Sequence, residues 1–319
     1  MNAMTAVIEA RGLTKSYGST PAVEAVSFAI QPGRIVGLIG PNGAGKTTLF
    51  KAILGLTPFE GELRVLGRDP RSERNELMQD VCFIADVAVL PRWLRVSQAL
   101  DFVGSVHPRF DRSRATDFLN KTDIRMSSRV RELSKGMVTQ LHLALILAID
   151  ARLLVLDEPT LGLDLLFRRQ FYDTLLNDYF DKERTIVLTT HQVEEIENLL
   201  TDVIFINRGH VVLDSAIESL PDRYLQLTVS AEHAGEARRL MPFYEREIFG
   251  RVAMFFEGRT VAELSTVANA VAEVRTPSVA DLFVAKMQGC AVYDARVAGD
   301  GPPWTDGEQA NARGKGAGS

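Results

Sequence analysis

The chain has 319 residues, 46% hydrophobic and 24% charged, with 36 Lys and Arg against 41 Asp and Glu for a net charge of −5. That length suits two globular domains, and the acidic balance speaks against a general nucleic-acid binder, which needs a cationic face. No stretch reaches the about 18 apolar residues of a membrane span.

In chain order, residues 8–13 and 26–30 read as strands of an antiparallel lobe. The apolar run Ile35–Ile39 reads as a buried strand, and Leu49-Phe50-Lys51-Ala52-Ile53-Leu54 as the start of a helix. Between them lies Gly40-Pro41-Asn42-Gly43-Ala44-Gly45-Lys46-Thr47-Thr48, which matches G-x-x-x-x-G-K-[ST]. Strand, glycine loop and helix together mean phosphate binding: backbone N–H groups curl around a polyphosphate and the helix N-terminus faces it. Lys46 is expected to reach the β- and γ-phosphates, Thr47 to ligate Mg²⁺ and Thr48 to bond a phosphate oxygen. The chain is therefore expected to bind a nucleoside triphosphate.

Val81–Ile84 reads as the next strand, followed by a helical, amphipathic insertion over about residues 88–135 that carries Trp93, Phe102, Val106 and Phe118. Ser134 opens an apolar helix, where a hydroxyl is by itself an N-cap. Residues 153–156 form a buried strand that delivers Asp157 and Glu158 at its end. Beside a phosphate loop, the first carboxylate suits Mg²⁺ and the second suits an attacking water. Further strands are expected at 186–189, 203–206 and 211–213, which makes residues 5–220 an α/β domain around a largely parallel sheet. Residues 223–295 read as a small α+β unit with strands near 224–229 and 252–256, helices over 232–241 and 261–274, and a last helix capped by Ser278. No catalytic constellation stands out in that unit, and a structural or dimerising role is expected of it. From 296 to 319, Gly, Pro and charged residues dominate, as in a disordered tail. Cys82 and Cys290 lack metal-ligand spacing and are expected as reduced thiols, and Met1–Thr5 does not open a signal peptide.

Several segments together resemble the nucleotide-binding subunit of ABC transporters over about residues 5–220, with the overall pattern similar to ABC-2-type and multidrug-export ATPases. Leu133-Ser134-Lys135-Gly136-Met137 is similar to that family's Leu-Ser-Gly-Gly-Gln signature, Leu161-Gly162-Leu163-Asp164 resembles its D-loop, and Thr189-Thr190-His191 its switch histidine. The resemblance implies a P-loop fold of ABC type: an antiparallel β lobe, a RecA-like core and a helical insertion. It implies ATP and Mg²⁺ as ligands, with Tyr17 stacking on adenine and Glu158, His191 and Lys46 acting in hydrolysis. It further implies that Ser134, Gly136 and Asp164 meet the nucleotide of a second, identical or different, ATPase subunit, and that a separate permease docks on the insertion, at the cytoplasmic face of the membrane. Trp93 is either the anchor for that permease or part of the insertion's core. Two departures stand out. Asp86 replaces the family's Q-loop glutamine, still able to reach Mg²⁺ through a water, and Lys135 and Met137 replace a glycine and a glutamine of the signature. The competing reading is a soluble ABC-type ATPase switch acting on a cytoplasmic complex; it is disfavoured by the absence of heptad segments or a second nucleotide domain.

Overall fold

The computed structural model describes residues 5–84, 90–161, 163, 165–181, 183–190, 192–265 and 273–297. The chain divides into two units, Met1–Leu220 and Pro221–Ser319.

The first unit opens with β1 (Ile8–Tyr17) and β2 (Thr20–Ile30), followed by β3 (Ile35–Ile39), α1 (Lys46–Ile53) and β4 (Glu60–Val65). A short α2 (Arg74–Leu77) leads to β5 (Val81–Ile84). The insertion holds α3 (Val96–Val106) and α4 (Arg112–Leu119), and α5 (Lys135–Leu147) returns the chain to β6 (Leu153–Asp157). The remainder is α6 (Leu165–Thr174), β7 (Thr185–Thr189), α7 (Val193–Ile196), β8 (Asp202–Asn207) and β9 (His210–Ala216).

Two sheets result. β2, β1 and β4 form an antiparallel lobe, and β4 was not anticipated from the sequence, because Glu60-Gly61-Glu62-Leu63-Arg64-Val65 buries only alternate late positions. The core sheet has the order β5-β6-β7-β3-β8-β9, parallel throughout except for β9, which runs antiparallel to β8. β3, β6 and β7 are buried at every position, as expected of central parallel strands covered on both faces. Because β3, β6 and β7 are parallel neighbours, their C-terminal ends meet at one edge.

The insertion has its own apolar core of Val96, Leu100, Ala115, Leu119, Leu141 and Leu145. Its base is fastened by buried Asp80, whose carboxylate meets Arg68 at 2.9 Å and Arg109 at 2.8 Å. The Asp111 N–H also donates to the Ala148 carbonyl at 2.8 Å.

In the second unit, α8 (Leu220–Arg223) spans the division, followed by β10 (Tyr224–Ser230), α9 (Ala234–Arg238), β11 (Tyr244–Ile248) and β12 (Arg251–Glu257). Then come α10 (Val261–Ser265), β13 (Glu273–Arg275) and α11 (Val279–Val297). The strands form one antiparallel sheet in the order β11-β12-β10-β13. Along β12, Val252, Met254 and Phe256 join Ala234, Ala237 and Leu264 on one face, while Ala253 and Phe255 meet Ala285 on the other. Of the helix expected over 261–274, the described residues hold α10 at Val261–Ser265, residues 266–272 lie outside the described residues, and 273–275 belong instead to β13, paired with Thr228, Leu227 and Gln226. The helix over 232–241 shrinks to Ala234–Arg238, and β11 is an additional strand whose charged residues masked its alternation. Ser278 does cap α11, its Oγ accepting from the Asp281 N–H at 3.0 Å. Residues 298–319 of the expected tail lie outside the described residues, and α11 itself runs on to Val297.

Candidate functional site

The loop 40–48 joins β3 to α1, and its glycines answer to different demands. Gly45 precedes α1 at φ 112°, and a Cβ there would stand 2.4 Å from the Ala22 carbonyl oxygen. Gly40 meets space alone: a Cβ would stand 2.3 Å from the Ile206 carbonyl oxygen. Both glycines therefore serve the loop's seat against the protein, beyond the phosphate approach expected of them from the motif.

A cavity of about 360 Å³ opens over the loop, bounded by Asn42, Gly43, Ala44, Gly45, Lys46, Thr47 and Thr48, by Tyr17 and Ala22 of the lobe, and by Asp157 and Glu158. Gly40 and Pro41 contribute backbone: the Lys46 ammonium donates to their carbonyls at 2.7 and 3.2 Å. Burial holds the pKa of Lys46 below its ordinary value, and the charges of Glu158 and then Asp157 oppose that shift. Tyr17 is half exposed at the cavity's edge, and the Lys15 ammonium lies over its ring, 5.1 Å from the ring centre.

Asp157 is the hub of the acidic side. Its Oδ2 accepts from Thr47 Oγ1 at 3.0 Å and its Oδ1 from Thr189 Oγ1 at 2.7 Å. Thr189 is fully buried, and its hydroxyl also accepts from the Glu158 N–H at 2.9 Å. One hydroxyl thus orients both acidic residues. The cause is register, since β6 and β7 pair Asp157 directly with Thr189. Glu158 has φ 49°, a left-handed conformation that costs a non-glycine residue about 1–2 kcal/mol. The kink turns the chain sharply off the strand, and the Leu161 N–H closes the turn onto the Glu158 carbonyl at 3.1 Å. Next, Arg168 donates to the Leu163 carbonyl at 2.8 Å and pairs with Glu195 at 3.0 Å. Thr189, Ala22 and Arg168 escaped sequence reasoning, because nothing local marks them; only the pairing of β6 with β7 singles out Thr189.

Thr47 Oγ1 and Asp157 Oδ2 are hard oxygen donors side by side at the cavity wall, a set suited to Mg²⁺, which keeps waters and takes phosphate oxygens. Among the described residues no group of three or more His, Cys, Asp or Glu side chains makes an all-protein metal cage. Asp86, Asp164 and His191 lie outside the described residues.

Ser134 and Gly136 do not line this cavity. Ser134 caps α5, its Oγ accepting from the Met137 N–H at 3.2 Å, and Lys135 is exposed beside it. Trp93 is 66% exposed, alongside exposed Phe102 and Val106, so it belongs to the surface of the insertion and not to its core. Cys82 is buried and reduced, its thiol pushed up to about 12 by desolvation.

A glycine loop between strand and helix, an inward lysine and a strand-end carboxylate pair whose aspartate accepts from the loop's threonine define a P-loop nucleoside triphosphatase. Residues 23–161 match the ABC transporter family model. The chain is 34% identical over 251 residues to Nod factor export ATP-binding protein I of Rhizobium meliloti (strain 1021), covering 74% of this chain and 72% of that one. It is 38% identical over 198 residues to the probable multidrug ABC transporter ATP-binding protein YbhF of Escherichia coli (strain K12), covering 60% of this chain and 34% of that one. A solved ATP-binding subunit of an ABC transporter superposes with a TM-score of 0.61 at 25% identity, over 67% of this chain and 91% of that chain. The chain belongs to the ABC transporter family, as an ATP-binding subunit that hydrolyses ATP to power transport. Among the described residues no helix is long and apolar enough to cross a membrane.

Proposed function

We propose that this chain is one of two ATPase subunits that close head to tail around two ATP molecules and drive export through their permease from the cytoplasmic face of the membrane. Tyr17 stacks on the adenine, and the backbone N–H groups of residues 40–48 wrap the phosphates. Lys46 exchanges its two carbonyl partners for β- and γ-phosphate oxygens, while Thr48 bonds a further phosphate oxygen. Thr47 and Asp157 would hold Mg²⁺, with Asp86 reaching it through a water, and a bound ion would supply charge neutralisation to the phosphates. Glu158 accepts a hydrogen bond from the water that attacks the γ-phosphorus, and His191 contacts the γ-phosphate and keeps that water in line. The bond from the γ-phosphorus to the bridging oxygen breaks, and ADP leaves with that oxygen. Ser134 and Gly136 meet the γ-phosphate bound by the other subunit, and Asp164 links the two sites. The exposed trio Trp93, Phe102 and Val106 on the insertion receives the permease.

The observation that carries this reading is the single buried hydroxyl of Thr189, which holds Asp157 toward Thr47 and fixes the backbone of Glu158. General acid–base catalysis by a side chain so placed contributes about 10²–10⁴-fold to rate. Glu158→Gln is expected to keep ATP affinity and lose turnover by at least about 10²-fold. Phosphate release at the wild-type rate from that variant would remove Glu158 from the mechanism. Co-purification from solubilised membranes is expected to recover a multi-span protein; ribosomes or DNA in its place would favour a soluble switch.

A further inference from the structure

We infer that Phe167 is a positioning residue that seats the Ser134–Gly136 turn against the helix leaving the acid-bearing strand, a role that rests on the head-to-tail reading above. Gly136 is buried in the first turn of α5, and Phe167 lies on α6. A Cβ built on Gly136 would lie 2.1 Å from Phe167 Cζ and 2.4 and 2.6 Å from its two Cε atoms. The tip of the ring therefore fills the space a side chain at 136 would need. Gly136 lies within ordinary helix, so room, and not a special φ, demands glycine here.

Phe167 lies between an anchored helix start and a small cavity. Its neighbour Arg168 is tied to the Leu163 carbonyl and to Glu195, which anchors the start of α6 just beyond Asp157 and Glu158. On its far side Phe167 borders a cavity of about 210 Å³ shared with Thr139, Gln140 and Leu143 of α5 and Phe118 of α4. Phe167 is thus a wedge between α5 and α6. Removing it joins its volume to that cavity and frees the first turn of α5 to shift. Ser134 Oγ and the leading N–H groups of α5 act only over short range, so a shift of about 1 Å there is enough to slow a reaction severely. Through this contact, the turn that a subunit offers to its partner is indexed to its own carboxylate pair.

The test uses the purified full chain. Phe167→Ala is expected to bind ATP within about twofold of wild type, since the ring does not line the nucleotide cavity, and to lose turnover on the order of 10-fold. Phe167→Leu is expected to recover at least half of that loss, and circular dichroism melts confirm that both variants are folded. Gly136→Ala is expected to lower both turnover and melting temperature in the wild-type background and to be near neutral on both in the Phe167→Ala background, a non-additive pair. Wild-type turnover in Phe167→Ala, or strict additivity of the pair, overturns the assignment. ATP-dependent dimerisation of Glu158→Gln, read by light scattering, separates the two levels. Absence of a dimer defeats the head-to-tail reading and this role with it, whereas a dimer together with wild-type turnover in Phe167→Ala defeats only the role of Phe167.

Discussion

The two sheets at the centres of the two units spend their polar residues differently. In the core sheet, β3, β6 and β7 run the same way, so the loop after β3, the carboxylates after β6 and Thr189 at the end of β7 gather on one edge. In the second unit the antiparallel order β11-β12-β10-β13 sends successive strand ends to opposite edges, and no comparable convergence forms among the described residues. Its charges tie helix to sheet instead. Asp281 of α11 accepts from Arg246 of β11 at 2.7 Å and meets Arg275 of β13 at 3.2 Å. Lys286 of the same helix meets Glu257 of β12 at 2.8 Å. The difference teaches that parallel packing concentrates chemistry at one edge, while this antiparallel sheet spreads its polar groups into struts.

That contrast can be broken most strongly at Thr189. Thr189→Val keeps the shape but removes the hydroxyl shared by Asp157 and Glu158, leaving the half-buried Glu158 N–H without its acceptor. Turnover is expected to fall by about 10–10²-fold with ATP affinity changed by less than about fivefold, as read by steady-state phosphate release and equilibrium binding. A parallel fall in both would mean that Thr189 shapes the loop and not the acids. In the second unit, Asp281→Ala is expected to lower stability by about 1–2 kcal/mol in denaturant titration and to leave turnover unchanged. A loss of turnover without a loss of stability would give that unit a part in the chemistry.

The smallest expected effect concerns pH. Burial holds His142 of α5 below its ordinary value of 6.5, and its Nε2 is buried without a hydrogen-bond partner among the described residues. Burial also lowers His107 in the insertion, with backbone and charge effects from Val81, Arg109 and Asp80 following. A folded-state value below the unfolded one leaves stability complete above 6.5. It is lost as pH falls below that, where the unfolded chain takes up protons the folded chain resists. Melting temperature is therefore expected to drop between about pH 7 and pH 5, and His142→Leu is expected to flatten the drop. An unchanged slope in that variant would assign the effect elsewhere.

Local sequence by itself determined the nucleotide loop, the buried strand that ends in Asp157 and Glu158, the alternation of β and α, and the cap at Ser278. In each, the signal is contiguous and the physics acts within a few residues: glycine-rich backbone, apolar runs, a hydroxyl before a helix. What lies far apart in the chain was legible only in three dimensions. β4 and β11 carry too many charges to show as strands until a neighbour pairs with them. Thr189 becomes a positioning group only because β7 lies in register beside β6. Gly136, readable as a place for phosphate approach, is also the seat of a ring from α6. Register and packing between distant segments depend on which surfaces are buried together, and no short stretch of residues holds that information.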